Sequence, residues 1–384
     1  MKKPKLIVHF GSHKTGSSSI QNTLFKNRDK LGQYSYIHFG VVNSSPAINN
    51  LCSLSASDQH KADANSVLST FRESLNNLNG KYGIISAEVI SRFTHRQISY
   101  LIEQIKQSGL EPEFIGYIRE PVGYYTSMFQ QTLKTQRVEL MNLKSWTKGL
   151  SKEISYYYLI DRLIDVAGKD SVHIYPFERK YFPEGNVVLH FLQVLGIDPT
   201  PIELYTVNTS LSIIAIKALY VYRKLIDPED SRNRPGFPLG KFITEMRDLP
   251  GRKFRFSSEI QQQIRALNFD YEEWVKSHVT EPDILWDTSG RGQENDDTSA
   301  IVMTEDDLMQ FSENEINSIK DWAGSHDAFP EPGESVIEFV ARMVQYVRTQ
   351  GRSVSSKGVS KPITSSILKR LRTFSTKKIS RKQT

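Results

Sequence analysis

Short apolar runs alternate along this chain with segments whose apolar residues recur every three or four positions. Lys5–Phe10 is a compact apolar run closed by Gly11, the pattern of a strand buried on both faces. Tyr82–Ser86, Phe114–Ile118 and Val172–Tyr175 repeat it. Between them, helical spacing runs through Ser17–Lys30, Gln97–Ser108, Val122–Leu133, Ser155–Ala167 and Asn186–Leu195. Pro121 suits the first turn of the third of these helices, and Gly196 ends the last. Strand and helix in alternation predict an α/β fold, a three-layer α/β/α arrangement around a central parallel sheet.

The pattern changes after Leu195. Ile226–Phe256 is rich in Pro, Gly, Arg and Lys and reads as a basic loop with short helices, either beside a site or simply solvated. Ser258–Val279 reads as a helix closing the first domain, and Asp287–Ser299 as a linker. Met303–Lys320 and Glu334–Arg348 read as two further helices, the second with Val336, Ile337, Val340, Met343, Val344 and Val347 on one face. The predicted organisation is a nucleotide-binding domain over residues 1–286, an acidic helical extension over 287–350 and a basic tail over 351–384.

Composition narrows the function classes. The chain of 384 residues has Cys52 as its single cysteine, which excludes an intramolecular disulfide and an all-cysteine metal site. Its nine histidines are scattered without metal-ligand spacing, so no metal centre is expected. The net charge of +6 is uneven: residues 352–384 hold ten Lys/Arg and no Asp/Glu, and the rest of the chain has a net charge of −4. A nucleic-acid reading would rest on that tail alone, and no specific nucleic-acid partner is expected. Leu6–Phe10 is too short for a signal-peptide core, and no apolar run approaches the roughly 20 residues that span a bilayer. A cytoplasmic protein is the expectation.

The residues with the clearest chemistry are His9-Phe10-Gly11-Ser12-His13-Lys14-Thr15-Gly16-Ser17-Ser18-Ser19-Ile20-Gln21. A buried strand ends in a glycine-containing loop, and small hydroxyl residues open a helix. Anion binding needs this layout. The glycines let the backbone approach the ligand, the first N–H groups of the helix point at it, and Lys14 adds positive charge. Gly11 and Gly16 have the spacing of a Walker A loop, but Ser17 stands where that loop has its lysine.

The order Lys14-Thr15-Gly16-Ser17-Ser18-Ser19 resembles the 5′-phosphosulfate loop of P-loop-like sulfotransferases that use 3′-phosphoadenosine 5′-phosphosulfate (PAPS). A second motif fits the same family. Phe114–Ile118 delivers Arg119, and Ser127 follows eight residues later, as in the family's arginine–serine clamp on the 3′-phosphate. Val172–Glu178 resembles the family's later strand and Phe-Glu turn, and Asn208-Thr209-Ser210 its Asn-x-Ser, both as architecture. The resemblance covers about Lys5 to Trp286. It implies PAPS as co-substrate without a metal, bound by Lys14, Thr15, Gly16, Ser17, Ser18, Ser19, Arg119 and Ser127. It also implies sulfuryl transfer to a hydroxyl or amino group of a carbohydrate or polysaccharide acceptor. Catalysis falls to Lys14 and to Glu88, a carboxylate just past a strand end, as in the carbohydrate-type members. His13 is the rival base, and His9 reads as a buried structural histidine. The competing readings are a P-loop kinase or NTPase, which would want a lysine at the Ser17 position, and a non-catalytic membrane-associated adaptor.

The tail carries its own expectation. Ile363, Ile367, Leu371 and Phe374 fall on one face of a short helix, with Lys369, Arg370, Arg372, Lys377, Lys378, Arg381 and Lys382 around and after it. An apolar stripe beside clustered positive charge suits an anchor on an anionic membrane surface; a disordered solubilising tail is the alternative. Full-length protein should therefore co-sediment with anionic vesicles at low salt and be released by salt. A chain ending at Gln350 should stay in the supernatant. Equal, weak binding by both ends the anchor idea.

Overall fold

The computed structural model describes residues 4–11, 15–53, 58–78, 82–135, 156–206, 211–225, 246–267, 271–280, 301–302, 305–324, 330–331 and 333–350. Ser12, His13 and Lys14, the predicted basic loop over 226–245, Asn208–Ser210, the linker over 287–299 and the tail over 351–384 lie outside them. The chain divides into two units. The first comprises Met1–Tyr124, Lys152–Asn208 and Asn268–Gln293; the second comprises Tyr125–Ser151, Thr209–Leu267 and Glu294–Thr384.

The first unit is built on a five-stranded sheet. Its elements are β1 (Lys5–Gly11), α1 (Ser17–Lys26), β2 (Tyr34–Tyr36), α2 (Ser45–Leu51), α3 (Asp58–Asn76), β3 (Tyr82–Ser86), α4 (His95–Gln107) and β4 (Glu111–Ile118). The first turn of α5 (Pro121–Thr135), then α6 (Tyr156–Ala167), β5 (Val172–Pro176), α7 (Val187–Leu195) and, further along the chain, α10 (Tyr271–His278) complete it. The strand order is β2-β3-β1-β4-β5 and every pairing is parallel. This is the α/β fold with a central parallel sheet and flanking helices that the alternation predicts.

The apolar run explains the centre of the sheet. Leu6, Ile7, Val8 and Phe10 are all buried, as a strand flanked on both edges and covered on both faces must be. Alternate residues serve opposite faces. Ile7, Ile84, Ile115, Tyr117 and Tyr175 share one core with Ile20 and Leu24 of α1 and Val188, Phe191 and Leu192 of α7. Leu6, Val8, Phe10, Phe114 and Ile118 belong to the other parity, and α4 and α6 pack on each other and against β4 and β5. α10 meets α6 through Trp274, whose ring lies edge-on to Tyr157 at 4.4 Å.

The second unit holds the rest of α5, α8 (Ile213–Leu225), β6 (Arg255–Phe256), α9 (Ser258–Leu267), β7 (Ile301–Val302), α11 (Glu305–Met309), α12 (Glu313–Gly324) and α13 (Val336–Gln350). β6 and β7 pair in parallel, and α8 packs against α11 and α13. Phe129, Phe254 and Phe256 stack within 5.5 Å of one another. Lys217 of α8 is tied to Glu315 of α12 at 2.7 Å, with both side chains largely covered. The predicted helix over Ser258–Val279 is two helices, α9 and α10, one in each unit. Among the described residues no helix is long and apolar enough to cross a membrane.

One polar row crosses three strands of the first unit's sheet. Glu113 on β4 takes Lys5 of β1 on one carboxylate oxygen and His173 of β5 on the other, at 2.8 Å. The hydrogen bond from His173, and then Lys5, holds the Glu113 carboxyl down at about 2 against an ordinary 4.5, although burial opposes the shift. A carboxyl depressed in the folded state binds fewer protons there than in the unfolded chain. Its contribution is therefore complete above about pH 4.5 and drains away as pH falls toward 2. Glu113→Gln should cost about 1–3 kcal/mol at neutral pH. In urea unfolding, the gap between variant and wild type should narrow as pH drops from 6 to 3; a gap independent of pH would contradict the assignment.

Candidate functional site

In a parallel sheet, ligands bind beyond the carboxyl ends of the strands, where the strand order reverses direction. Here that point is β1. The chain leaves it for β2 and β3 on one side, then crosses back to β4 and β5 on the other. Three neighbouring strands therefore end together. His9 of β1 is level with Ser86 of β3, and Gly11 of β1 is level with Tyr117 of β4. The residues just beyond these ends are Glu88 after β3, the loop that leads to α1 after β1, and Arg119 after β4. The topology brings together Glu88, the Thr15–Ser19 segment and Arg119. Lys14 lies between Gly11 and Thr15 in sequence, outside the described residues.

The start of α1 has the features of an anion cradle. Gly16 precedes the helix in the left-handed region, φ 80° and ψ 9°, and its carbonyl accepts from the N–H groups of Ser19 and Ile20 at 2.9 and 3.1 Å. As a glycine it makes no side-chain cap on α1. Several other helices among the described residues carry side-chain caps, three of them in the first unit. Thr94 and Gln97 form a reciprocal capping box on α4, Asn186 accepts from Val188 N–H on α7 at 2.9 Å, and the Glu120 carboxylate accepts from Val122 and Gly123 N–H on α5. Glycine in the capping position of α1 has no side chain to offer the first N–H groups of the helix.

The hydroxyl residues of the segment turn inward. Thr15, Ser17 and Ser19 are buried and Ser18 is half-buried. The Ser17 hydroxyl has no hydrogen-bond partner among the described residues, a costly state for a buried polar group unless a ligand supplies the partner. It lies so close to Gly11 that a Cβ at residue 11 would run into it, and the same Cβ would sit 3.5 Å from Cγ of Glu88. Glycine at position 11 is therefore a packing requirement, and it brings the Ser17 hydroxyl and the Glu88 side chain to one spot. Glu88 itself is half-buried at the start of a single 3-10 turn, Glu88–Arg92.

β1 and β3 are bolted together beneath this spot. The N–H of Ala87 donates to the carbonyl of His9 at 3.0 Å, and His9 Nδ1 shares a hydrogen bond with Ser86 Oγ at 2.7 Å. His9 is fully buried, edge-on to Phe191, and burial pushes its imidazole down to about 3, so it stays neutral. It is a buried structural histidine, as the sequence suggests.

Arg119 is half-buried just past β4. Its guanidinium lies over the ring of Phe177, 5.4 Å from the centroid. Burial lowers its value from the ordinary one, Glu120 and Glu178 favour the charge and Arg179 opposes it; an arginine remains protonated throughout. Phe177 also reaches the other side of the site. A Cβ on Gly16 would meet Phe177 Cε2 at 3.5 Å and Val187 Cγ1 at 2.5 Å. Sequence reading treats the Phe177-Glu178 turn as architecture and misses this double contact. Its one legible signal is an aromatic residue immediately after a strand end. Ser127 lies on the part of α5 that belongs to the second unit. Among the described residues no group of three or more His, Cys, Asp or Glu could hold a metal ion.

No family model matches the chain. It is similar to an uncharacterized protein of Archaeoglobus fulgidus, 28% identical over 155 residues. That match covers 40% of this chain and 42% of the relative, less than half the length of either. Among solved structures it is similar to a sulfotransferase from Alicyclobacillus acidocaldarius, with TM-score 0.34 and 13% identity over 62% of this chain and 99% of that one. It is also similar to a chain from the PezAT chromosomal toxin–antitoxin system of Streptococcus pneumoniae, with TM-score 0.26 and 17% identity over 46% of this chain and 69% of that one. At such TM-scores neither likeness carries an argument, and the α/β fold rests on the strand order and pairing of the chain itself.

Proposed function

We propose that the chain is a sulfotransferase that moves a sulfuryl group from PAPS to a hydroxyl or amino group of a carbohydrate acceptor. The observation that carries the reading is the meeting of a buried Ser17 hydroxyl, without a hydrogen-bond partner among the described residues, with the Glu88 side chain at the glycine-headed start of α1. The motif Lys14-Thr15-Gly16-Ser17-Ser18-Ser19 supplies its chemical identity. The 5′-phosphosulfate lies over the N–H groups and hydroxyls at the start of α1, with Lys14 adding charge. Arg119, one strand away, takes the 3′-phosphate. Ser17 in the place of a Walker lysine weighs against a kinase or NTPase.

The roles follow from what the reaction needs. PAPS supplies an activated sulfuryl group on a good leaving group. As the acceptor oxygen forms its bond to sulfur, the Glu88 carboxylate takes the proton from that oxygen. The bond between sulfur and the 5′-phosphate oxygen breaks, and its electron pair leaves on adenosine 3′,5′-bisphosphate. Lys14 and the N–H groups of α1 stabilise the charge that grows on that leaving oxygen. The neutral, buried His9 takes no part in the proton transfer. It ties the strand bearing the loop to the strand bearing Glu88.

Two variants test the assignment, read as release of adenosine 3′,5′-bisphosphate from PAPS with a panel of polysaccharide acceptors. Lys14→Ala should lower turnover by about 10²–10³-fold. Glu88→Gln should depress turnover far more than PAPS affinity, because a base acts on the acceptor. Activity should survive a chelator. A Lys14→Ala protein with more than half of wild-type turnover removes the reading, and near-normal turnover in Glu88→Gln moves the base to His13 or to the substrate.

A further inference from the structure

We propose that Phe177 is a positioning residue that sets the protein's discrimination for a 3′-phosphorylated nucleotide, by holding Arg119 at a fixed distance from the loop that carries the 5′ group. This deepens the reading above and rests on its assignment of Arg119. The ring has two separate jobs. Its face lies under the Arg119 guanidinium at 5.4 Å, and its Cε2 edge lies 3.5 Å from where a Cβ on Gly16 would stand. Gly16 opens α1, so one rigid ring spaces the two anion-binding elements.

The ring is itself held on three sides. The N–H of Phe177 donates to the carbonyl of Ile118 at 2.6 Å, which fixes its backbone to the residue before Arg119. Phe182 packs edge-on at 5.5 Å. Val187, at the start of α7, shares the contact with Gly16. A half-buried arginine has long, flexible geometry and two acidic neighbours, Glu120 and Glu178, that draw its charge. Both Glu120 oxygens accept from the start of α5, which holds that carboxylate at the helix. The aromatic face of Phe177 lies flat beneath the guanidinium and leaves its edge N–H groups directed away from the ring, toward a phosphate. A cation over an aromatic ring in a partly desolvated site gives a preference of the size that a specificity filter needs.

The experiment measures the dissociation constants of adenosine 3′,5′-bisphosphate and adenosine 5′-monophosphate by calorimetry, using the full chain. The readout is their ratio. Phe177→Leu, which keeps apolar bulk, should lower the preference for the bisphosphate by about 3- to 30-fold. Phe177→Tyr, which keeps the ring, should restore it. Arg119→Ala should lower it at least as far. Thermal unfolding of each variant separates loss of fold from loss of positioning, and Phe177→Met replaces the leucine variant if that one does not fold. A preference lost in Arg119→Ala but intact in folded Phe177→Leu or Phe177→Met overturns the role of Phe177 alone. No preference in the wild-type protein overturns the assignment of Arg119 and this inference with it.

Discussion

Everything chemical in the first unit hangs from the parallel pairing of β1 between β3 and β4. A strand buried on both edges and both faces has little freedom in sequence, and Leu6–Phe10 shows it. The pairing fixes where three neighbouring strands stop, and hence which residues stand at the same end of the sheet. The close approach of Ser17 to Gly11 then sets how α1 leaves the loop. A side chain at residue 11 would push the helix start away and separate the Ser17 hydroxyl from Glu88.

The proposed anion site does not depend on net charge. The chain outside its tail is mildly acidic, and the site as proposed would draw on N–H groups, hydroxyls and two cations selected by position. Directed dipoles in a buried setting are worth more to a developing charge than a diffuse surface field. A neutral His9 fits this logic. A second charge beneath the loop would have to be desolvated, whereas burial keeps the imidazole uncharged and leaves it as a hydrogen-bonded strut to Ser86.

The sheet was legible where a strand is a continuous apolar run with a clean stop. β1, β3, β4 and β5 all have one. β2 escaped because Tyr34–Tyr36 is three residues long and has no period to read. α3 escaped because Asp58–Asn76 is mostly polar, and over residues 65–76 it buries Phe71 and Leu75 alone. The single helix expected over Met303–Lys320 is broken by a capping box: Ser312 N–H donates to the Glu315 carboxylate and Ser312 Oγ accepts from Glu315 N–H, which restarts the helix as α12. The placement of Glu88 and Arg119 just past strand ends was legible because each follows an apolar run with a clean stop. The position of Phe177 between Arg119 and Gly16 was not, because no spacing in the sequence encodes it.

The central claim is that the loop between β1 and α1 binds a 3′-phosphorylated adenine nucleotide. Thermal stability in the presence of adenosine 3′,5′-bisphosphate, against ATP with magnesium, tests it most directly. A ligand at about 100 times its dissociation constant stabilises the folded state by roughly 2.7 kcal/mol, enough to raise the midpoint visibly. The account predicts a rise with the bisphosphate that persists in chelator and disappears in Lys14→Ala. A rise with magnesium–ATP alone, and none with the bisphosphate, would contradict it.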